Sequence, residues 1–350
     1  MNIGADELAS ILVCPSDGSP LSREGRVLKC LNEHKFPIIR DVPVLLRCDV
    51  PQTIGIASAS LRYAWADVEG KHADGWFIET LGISDEQKQG VRVAASRSYN
   101  VDPVASHLVA ATNGILYKKI VGRLHDYPVP TIRLPNGKGK SLLDVGCSWG
   151  RWSIAAAKKG YMPTGVDPSL GAVLAAKRIA NSLGLPFRGV VADARFLPFR
   201  AGSFDVVFSY SVLQHFSKAD AQAALENIRR VLQPDGMFLV QMASALGIRS
   251  IQHQVRRGFR QPKDFDVRYW TPAQLLRTFC DIFGPTELEA DCYFGLGLQL
   301  ADMPLMNGVS KLVIHASEML RSVSKACKPM IYLADSLYLK SARSDLRSWD

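Results

Sequence analysis

No stretch of the chain stays apolar long enough to cross a bilayer. The longest mostly apolar, uncharged run, GMFLVQMASALGI, ends at Arg249, well short of the ~20 residues a spanning helix needs, so no transmembrane segment is expected. No secretory leader is expected either. The opening MNIGADELAS holds two acids and no basic residue ahead of its apolar run, the wrong charge order for export, and a cytoplasmic location is expected. Cysteine is sparse, with seven residues scattered over 350; an odd, dispersed set points to reduced thiols rather than a disulfide framework. There is no internal repeat, no low-complexity segment and no G-x-x-x-x-G-K-[ST] run, and the last absence argues against a P-loop kinase or ATPase.

What is present is 47% hydrophobic residues, enough for one sizeable core with a small satellite. Residues 1–50 run as short apolar pieces broken by turn chemistry (ILVCP, SDGSP, RVLKC, FPII, VPVLL) and read as a small β-rich module. Residues 51–140 have helical spacing in LRYAWADVEG and ASHLVAATNGILYKKIVGRL and close on YPVPTIRLPNGKGK, which reads as a helical cap leading into a linker. Over 141–350 short apolar runs alternate with amphipathic stretches. Strands are expected at SLLDVG, MPTGVD, FRGVVAD, FDVVFSY, GMFLVQM, TELEADCYF and IYLADSLYLKS, with helices between them, including PAQLLRTFCDIFG and VSKLVIHASEMLRSV. The pattern predicts an α/β, doubly wound Rossmann-like sheet, mostly parallel with one antiparallel strand.

The net charge of +9 is uneven: Arg249 to Arg268 holds six Lys or Arg against Asp264 and Asp266. The segment is either a solvated loop or a docking patch for an anionic acceptor such as a phosphate, an acidic glycan or RNA.

The most informative stretch is LLDVGCSWGRW, a buried strand ending at Asp144 and turning through Gly146, Cys147, Ser148 and Gly150 into a helix. Small residues let backbone approach a ligand, and a helix start offers free N–H groups. A dinucleotide site wants G-x-G-x-x-G; here those places hold Gly146, Ser148 and Arg151, which argues against a dehydrogenase. Asp167 ends the next strand, where a carboxylate can accept from two ribose hydroxyls. Asp193, followed by Ala194, ends the third, where it can accept from an adenine amino group; as single residues, both could equally be turn or cap residues. In an open α/β sheet these strand ends converge on one crevice.

DVGCSWG, VDPS, ADARFLPF and FDVVFSYSVLQHF resemble, in order and spacing, the loops of class I S-adenosylmethionine-dependent methyltransferases, closest to the group acting on small molecules, quinones and sugars. Ser148 replaces the family's middle glycine. The resemblance covers about residues 141 to 245. It implies that Asp144, Gly146, Cys147, Ser148 and Gly150 form the methionine end of the cofactor site. Asp167 would bind ribose, Asp193 and Ala194 would meet adenine, and Ser209 and Tyr210 would lie beside the cofactor. If the acceptor is a hydroxyl, His215 in SVLQHF is the candidate general base.

In the N-terminal module Cys14, Asp17, Cys30 and His34 give C-x-x-D followed by C-x-x-x-H, near the spacing of a structural zinc clip with one cysteine replaced by aspartate; a metal-free remnant held together by its apolar residues is the reading set against bound zinc. The stretch resembles the zinc-ribbon-like module of tRNA-methyltransferase activator proteins, with Arg40-Asp41 where that family has Asp-Gly. The expected function is O-methylation of a small molecule or glycan with S-adenosylmethionine, under lids formed by inserts at 245–270 and 300–330. An RNA methyltransferase is the alternative. It lacks support in Ser209-Tyr210-Ser211-Val212, which stands where exocyclic-amine methyltransferases carry Asn-Pro-Pro-Tyr. A non-catalytic protein on the same fold is the third reading.

Overall fold

The computed structural model describes residues 3–343 apart from 73, 98, 99, 264, 296 and 298. Asp264 of the basic segment therefore lies outside the described residues. The chain opens with helix α1 (Ile3–Ile11), not foreseen from the sequence, and an antiparallel four-stranded sheet of β1 (Leu21–Glu24), β2 (Val27–Cys30), β3 (Lys35–Ile39) and β4 (Val42–Pro43). Helices α2 (Gly55–Val68), α3 (Asp85–Ala95) and α4 (Pro103–Asn113) follow. The N-terminus of α3 carries a capping box between Ser84 and Gln87, and α4 starts with Asp102 accepting from Val104 N and Ala105 N ahead of Pro103, both strong local start signals.

The main sheet is built from β5 (Ser141–Val145), β6 (Met162–Asp167), β7 (Arg188–Val191), β8 (Phe204–Tyr210), β9 (Leu232–Ala243), β10 (Thr286–Cys292) and β11 (Ser336–Ala342). Helices α5 (Arg151–Lys158), α6 (Leu170–Ser182), α7 (Lys218–Val231), α8 (Ile248–Arg256), α9 (Pro272–Phe283) and α10 (Gly308–Ala326) lie between them. The strand order is β10-β11-β9-β8-β5-β6-β7. Pairs β5·β6, β5·β8, β6·β7 and β8·β9 are parallel, and β11 runs antiparallel to both β9 and β10. This is the doubly wound α/β sheet with one reversed strand. Both faces are covered: Leu143 and Val207 pack with Leu225, Ile228 and Phe279, while Leu142 and Val206 pack with Trp152 and Ala155. Alternation along each strand sends neighbours to opposite faces, so the strands read as continuous apolar runs.

One expected strand is shorter than its apolar run. Ile331, Tyr332 and Leu333 belong to a 3-10 turn, Lys328–Leu333, with Pro329 in its first turn, where the fixed proline φ favours a helical start.

The N-terminal module is joined to the edge of the large sheet. Leu45 N donates to Val191 O (2.7 Å), Val13 N to Pro198 O (3.0 Å) and Arg200 N to Ile11 O (2.9 Å). Leu8, Phe36 and Ile38 share one core with Val190, Phe199 and Phe204. The module thereby covers the open edge of β7, which would otherwise present unpaired backbone groups.

Candidate functional site

The first strand of the large sheet, β5, has β6 and then β7 on one side and β8 on the other, so the chain reverses its direction of travel at the carboxyl end of β5, where ligands bind in such sheets. A cavity of about 480 Å³ opens there, within the range of small-molecule and cofactor sites. Its floor is the loop after β5. Gly146 has φ +80° and a Cβ there would stand 2.1 Å from Val212 Cγ2, so only glycine fits. Ser148 also sits in the left-handed region, at φ +46°. The place of the family's middle glycine is thus conformationally demanding, and serine occupies it at a cost of about 1–2 kcal/mol. Gly150, φ +85°, is not on the cavity wall; a Cβ there would meet Ala176 Cβ at 2.8 Å, so it lets α5 lie close to α6.

Asp167 holds the loop in place. Its Oδ2 accepts from Ser148 N and its Oδ1 from Ser169 N, each at 2.9 Å, and it lines the cavity. Burial pushes its pKa up to about 6. Asp144 lies beneath the loop and off the cavity wall, accepting from Ser153 Oγ at 2.6 Å. Burial raises it to about 7, and the nearby Asp167 charge adds to the rise. Cys147 lines the cavity, with its thiol pKa driven up by burial.

Asp193 and Ala194 also line the cavity, but the Asp193 carboxylate is occupied. It caps the 3-10 turn Ala194–Phe196 through Arg195 N (2.8 Å) and pairs with Arg195 Nη2 at 2.7 Å. Ser209 is fully buried inside the sheet, donating to Val145 O at 3.0 Å, and is not on the wall. Ser211, two residues on with φ +61°, takes that position. The Tyr210 ring is on the wall, packed 4.4 Å from Trp152, with its hydroxyl donating to Asp291 Oδ2 at 2.6 Å.

His215 lies at the rim. Its Nδ1 donates to Phe265 O at 2.8 Å and its ring stacks on Phe265 at 3.9 Å. That bond fixes the proton on Nδ1 and leaves the lone pair on Nε2. Burial lowers its pKa, keeping the ring neutral.

Among the described residues, only Phe265 reaches the cavity from 245–270, and none of 300–330 does. The remaining walls come from the helical region: Thr53, Ile54 and Ile56, then Leu81 and Gly82, then Leu108, Ala111 and Thr112. Nothing in their sequence marks them, except that ASHLVAATNG has one apolar face. Trp149 Nε1 donates to Thr112 Oγ1 at 2.9 Å, tying α4 to the loop. The 300–330 segment acts from behind. Buried Asp302 holds Arg151 Nη2 at 2.7 Å and also accepts from Tyr117 OH, and Arg151 Nε donates to Pro128 O at 2.9 Å.

Away from the cavity, Cys14, Asp17, Cys30 and His34 come together with ligand atoms all within 4.8 Å of one another. His34 Nδ1 lies 3.5 Å from Cys14 Sγ, 3.3 Å from Cys30 Sγ and 3.2 Å from Asp17 Oδ2. Asn32 Nδ2 and Ser19 N orient the Asp17 carboxylate at 2.8 and 2.9 Å.

Residues 142–236 match the methyltransferase-domain family. A ubiquinone biosynthesis O-methyltransferase of Coxiella burnetii is 35% identical over 99 residues, 28% of this chain and 42% of that protein. One from Caulobacter sp. is 30% identical over 159 residues, 42% of this chain and 62% of that protein. The chain thus spans about half the length of the curated relatives it matches. Among solved structures, an S-adenosylmethionine-dependent methyltransferase of Methanosarcina mazei aligns at 17% identity over 59% of this chain and 93% of that one, TM-score 0.42. A Haloferax volcanii complex of a methyltransferase activator and a putative methyltransferase aligns at 19% identity over 61% of this chain and 85% of that one, TM-score 0.41. Residues 142–236 of the chain thus carry a methyltransferase domain.

Proposed function

We propose that the protein transfers a methyl group from S-adenosylmethionine to an oxygen of a small-molecule or glycan acceptor. The observation that carries this reading is the convergence of the Gly146–Ser148 loop, the Asp167 carboxylate and a neutral His215 on one cavity. The residues suit the donor. The backbone at Gly146 leaves a cradle that a side chain would fill. Arg151, on the wall, has a buried Nη1 without a hydrogen-bond partner, a donor that a ligand carboxylate can satisfy.

S-adenosylmethionine, when bound, supplies a methyl group already activated on a sulfonium. The chain's own residues then have to position, exclude water and take up a proton. Asp167, with lone pairs left beyond its two backbone bonds, accepts from ribose hydroxyls; Trp152 and Tyr210 close an apolar wall; Nε2 of His215 takes the acceptor proton. The RNA reading is favoured by the positive charge of the basic segment and by its exposed Phe259 and Phe265, but the exposed Ile251 and Val255 beside them cannot stack on bases.

The test is calorimetric titration of the whole protein with S-adenosylmethionine, wild type against Asp167→Ala. Micromolar binding weakened at least ~100-fold in the variant is expected, from the loss of two hydrogen bonds to a charged group. A well-folded wild type that binds no S-adenosylmethionine overturns the reading.

We propose in addition that Cys14, Asp17, Cys30 and His34 hold a zinc ion as a structural clip. Around zinc, with bonds of about 2.0–2.3 Å, the edges of a ligand tetrahedron run to about 3.3–3.8 Å. Four of the six separations between the donor atoms run from 3.2 to 3.5 Å, close to that figure, and all six lie within 4.8 Å.

A further inference from the structure

Two helices of this fold leave an apolar stripe exposed while burying polar side chains. Helix α8 turns Ser250, Gln254 and Arg257 toward the protein. Ser250 N donates to Asp335 Oδ1 at 2.8 Å, Gln254 Nε2 to Ala245 O at 2.9 Å and Arg257 Nη1 to Val267 O at 3.2 Å. Its apolar side, Ile248, Ile251 and Val255, is 50, 44 and 57% exposed, and Phe259 beyond it is 70% exposed. In α10 the buried face holds Ser310, Ile314, Ser317 and Ser324, while Val309, Leu312, Met319 and Val323 form an exposed stripe at helical spacing. A surface helix normally does the reverse. The two are linked. The 3-10 turn Lys328–Leu333 packs on α10, exposes Tyr332 and Leu333, and leads into Asp335, the residue that holds Ser250.

Charge selects what covers these faces. Residues 246–263 hold five basic and no acidic residues, and 308–333 hold four basic against one acidic, so eight of the chain's net nine positive charges sit in the two segments. A second copy would be repelled. RNA would satisfy the charge and can stack on Phe259 and Tyr332, yet it would leave the aliphatic stripe of Ile248, Ile251, Val255, Leu312 and Met319 without a partner, since aliphatic side chains offer no stacking surface. An anionic bilayer satisfies both, with the aliphatic stripes entering the headgroup boundary and the arginines and lysines at the phosphates.

We propose that α8, α10 and the 328–333 turn dock the protein on an anionic lipid surface. Among the described residues no helix is long and apolar enough to cross a membrane, so the attachment is peripheral. Phe265, which lines the cavity, follows α8 in the chain. The inference stands apart from the methyl-transfer reading.

The experiment is flotation of the full chain with vesicles of phosphatidylcholine alone or mixed equally with phosphatidylglycerol. Binding only to the anionic vesicles is expected, falling with salt. The double substitution Ile251→Ser with Val255→Ser should weaken it about tenfold or more, through loss of inserted apolar surface. Arg256→Glu should weaken it about fivefold or more. Both variants should keep the wild-type melting temperature. Absence of flotation on anionic vesicles overturns the proposal. So does flotation indifferent to the double substitution, or an affinity for polyuridylate without one for vesicles, which would assign the face to RNA. A dimer dissolved by the double substitution, again without vesicle binding, would assign it to self-association.

Discussion

At the scale of single residues, the site depends on what neighbours do to ordinary side chains. His215 is the clearest case. Ring burial lowers its pKa from the usual value, and the Phe265 carbonyl fixes its proton on Nδ1. It is therefore neutral at physiological pH and becomes charged, and useless as a base, only as pH falls below about 6.5. With a hydroxyl acceptor, kcat measured at saturating S-adenosylmethionine should fall on an acid limb lying below that pH. His215→Ala should lose about 10²–10⁴ in kcat and lose the limb with it; a variant with wild-type turnover at saturation would rule the base role out. The identity of His215 as a rim residue was legible from its place after the fourth strand. That Asp193 spends its carboxylate on Arg195, and that Ser209 faces into the sheet, were not, since both depend on side-chain direction.

At the scale of elements, legibility followed the strength of local pattern. The strands from Ser141 to Ala243 announce themselves as apolar runs buried on both faces, and the loop that follows β5 announces itself by glycine. The cavity walls from α2, the turn near Leu81 and α4 do not: their helices bury one face like any other, and only the fold aims Ile54, Leu108 and Thr112 at the crevice. The 300–330 insert, expected as a lid, puts none of its described residues on the cavity wall; its Asp302 pairs with Arg151. The N-terminal module offers an element-scale test. Its four short strands and α1 bury little on their own, and the hairpin between β3 and β4 turns through Arg40 and Asp41, both at positive φ, where Asn-Gly or Asp-Gly is preferred. A zinc ion held by Cys14, Asp17, Cys30 and His34 would offset that weakness. Purified protein should contain one zinc per chain, and chelation or Cys30→Ser should lower the melting temperature by about 5 °C or more. Protein that is metal-free yet as stable as the metal-loaded form would dismiss the clip.

At the scale of the whole molecule, stability and ligand binding meet at the carboxyls that the sheet gathers at its centre. Asp144 and Asp167 come from adjacent strands and are raised to about 7 and about 6, chiefly by burial. A carboxyl whose folded pKa lies above its ordinary value of about 3.9 favours folding at low pH. That contribution is fully present below the ordinary value and is lost as pH rises through the folded one. For Asp167 the window runs from about pH 4 to about 6, so the empty site is strained at neutral pH by a buried charge that has too few donors. Ribose hydroxyls donate to the ionised form and pull the pKa back down. Binding should therefore release a proton on the acid side and none above it. In titrations run in buffers of different ionisation enthalpy, S-adenosylmethionine should expel close to one proton at about pH 5 and almost none at about pH 8. Its affinity should climb up to tenfold per pH unit until about pH 6 and then level off. The thermal stabilisation it confers should grow over the same interval, because the unliganded fold loses the Asp167 contribution there while the complex keeps its charge satisfied. Asp167→Asn should flatten both the proton release and the affinity profile. A proton count that stays at zero across the range would mean that the ligand is held without drawing on the Asp167 charge.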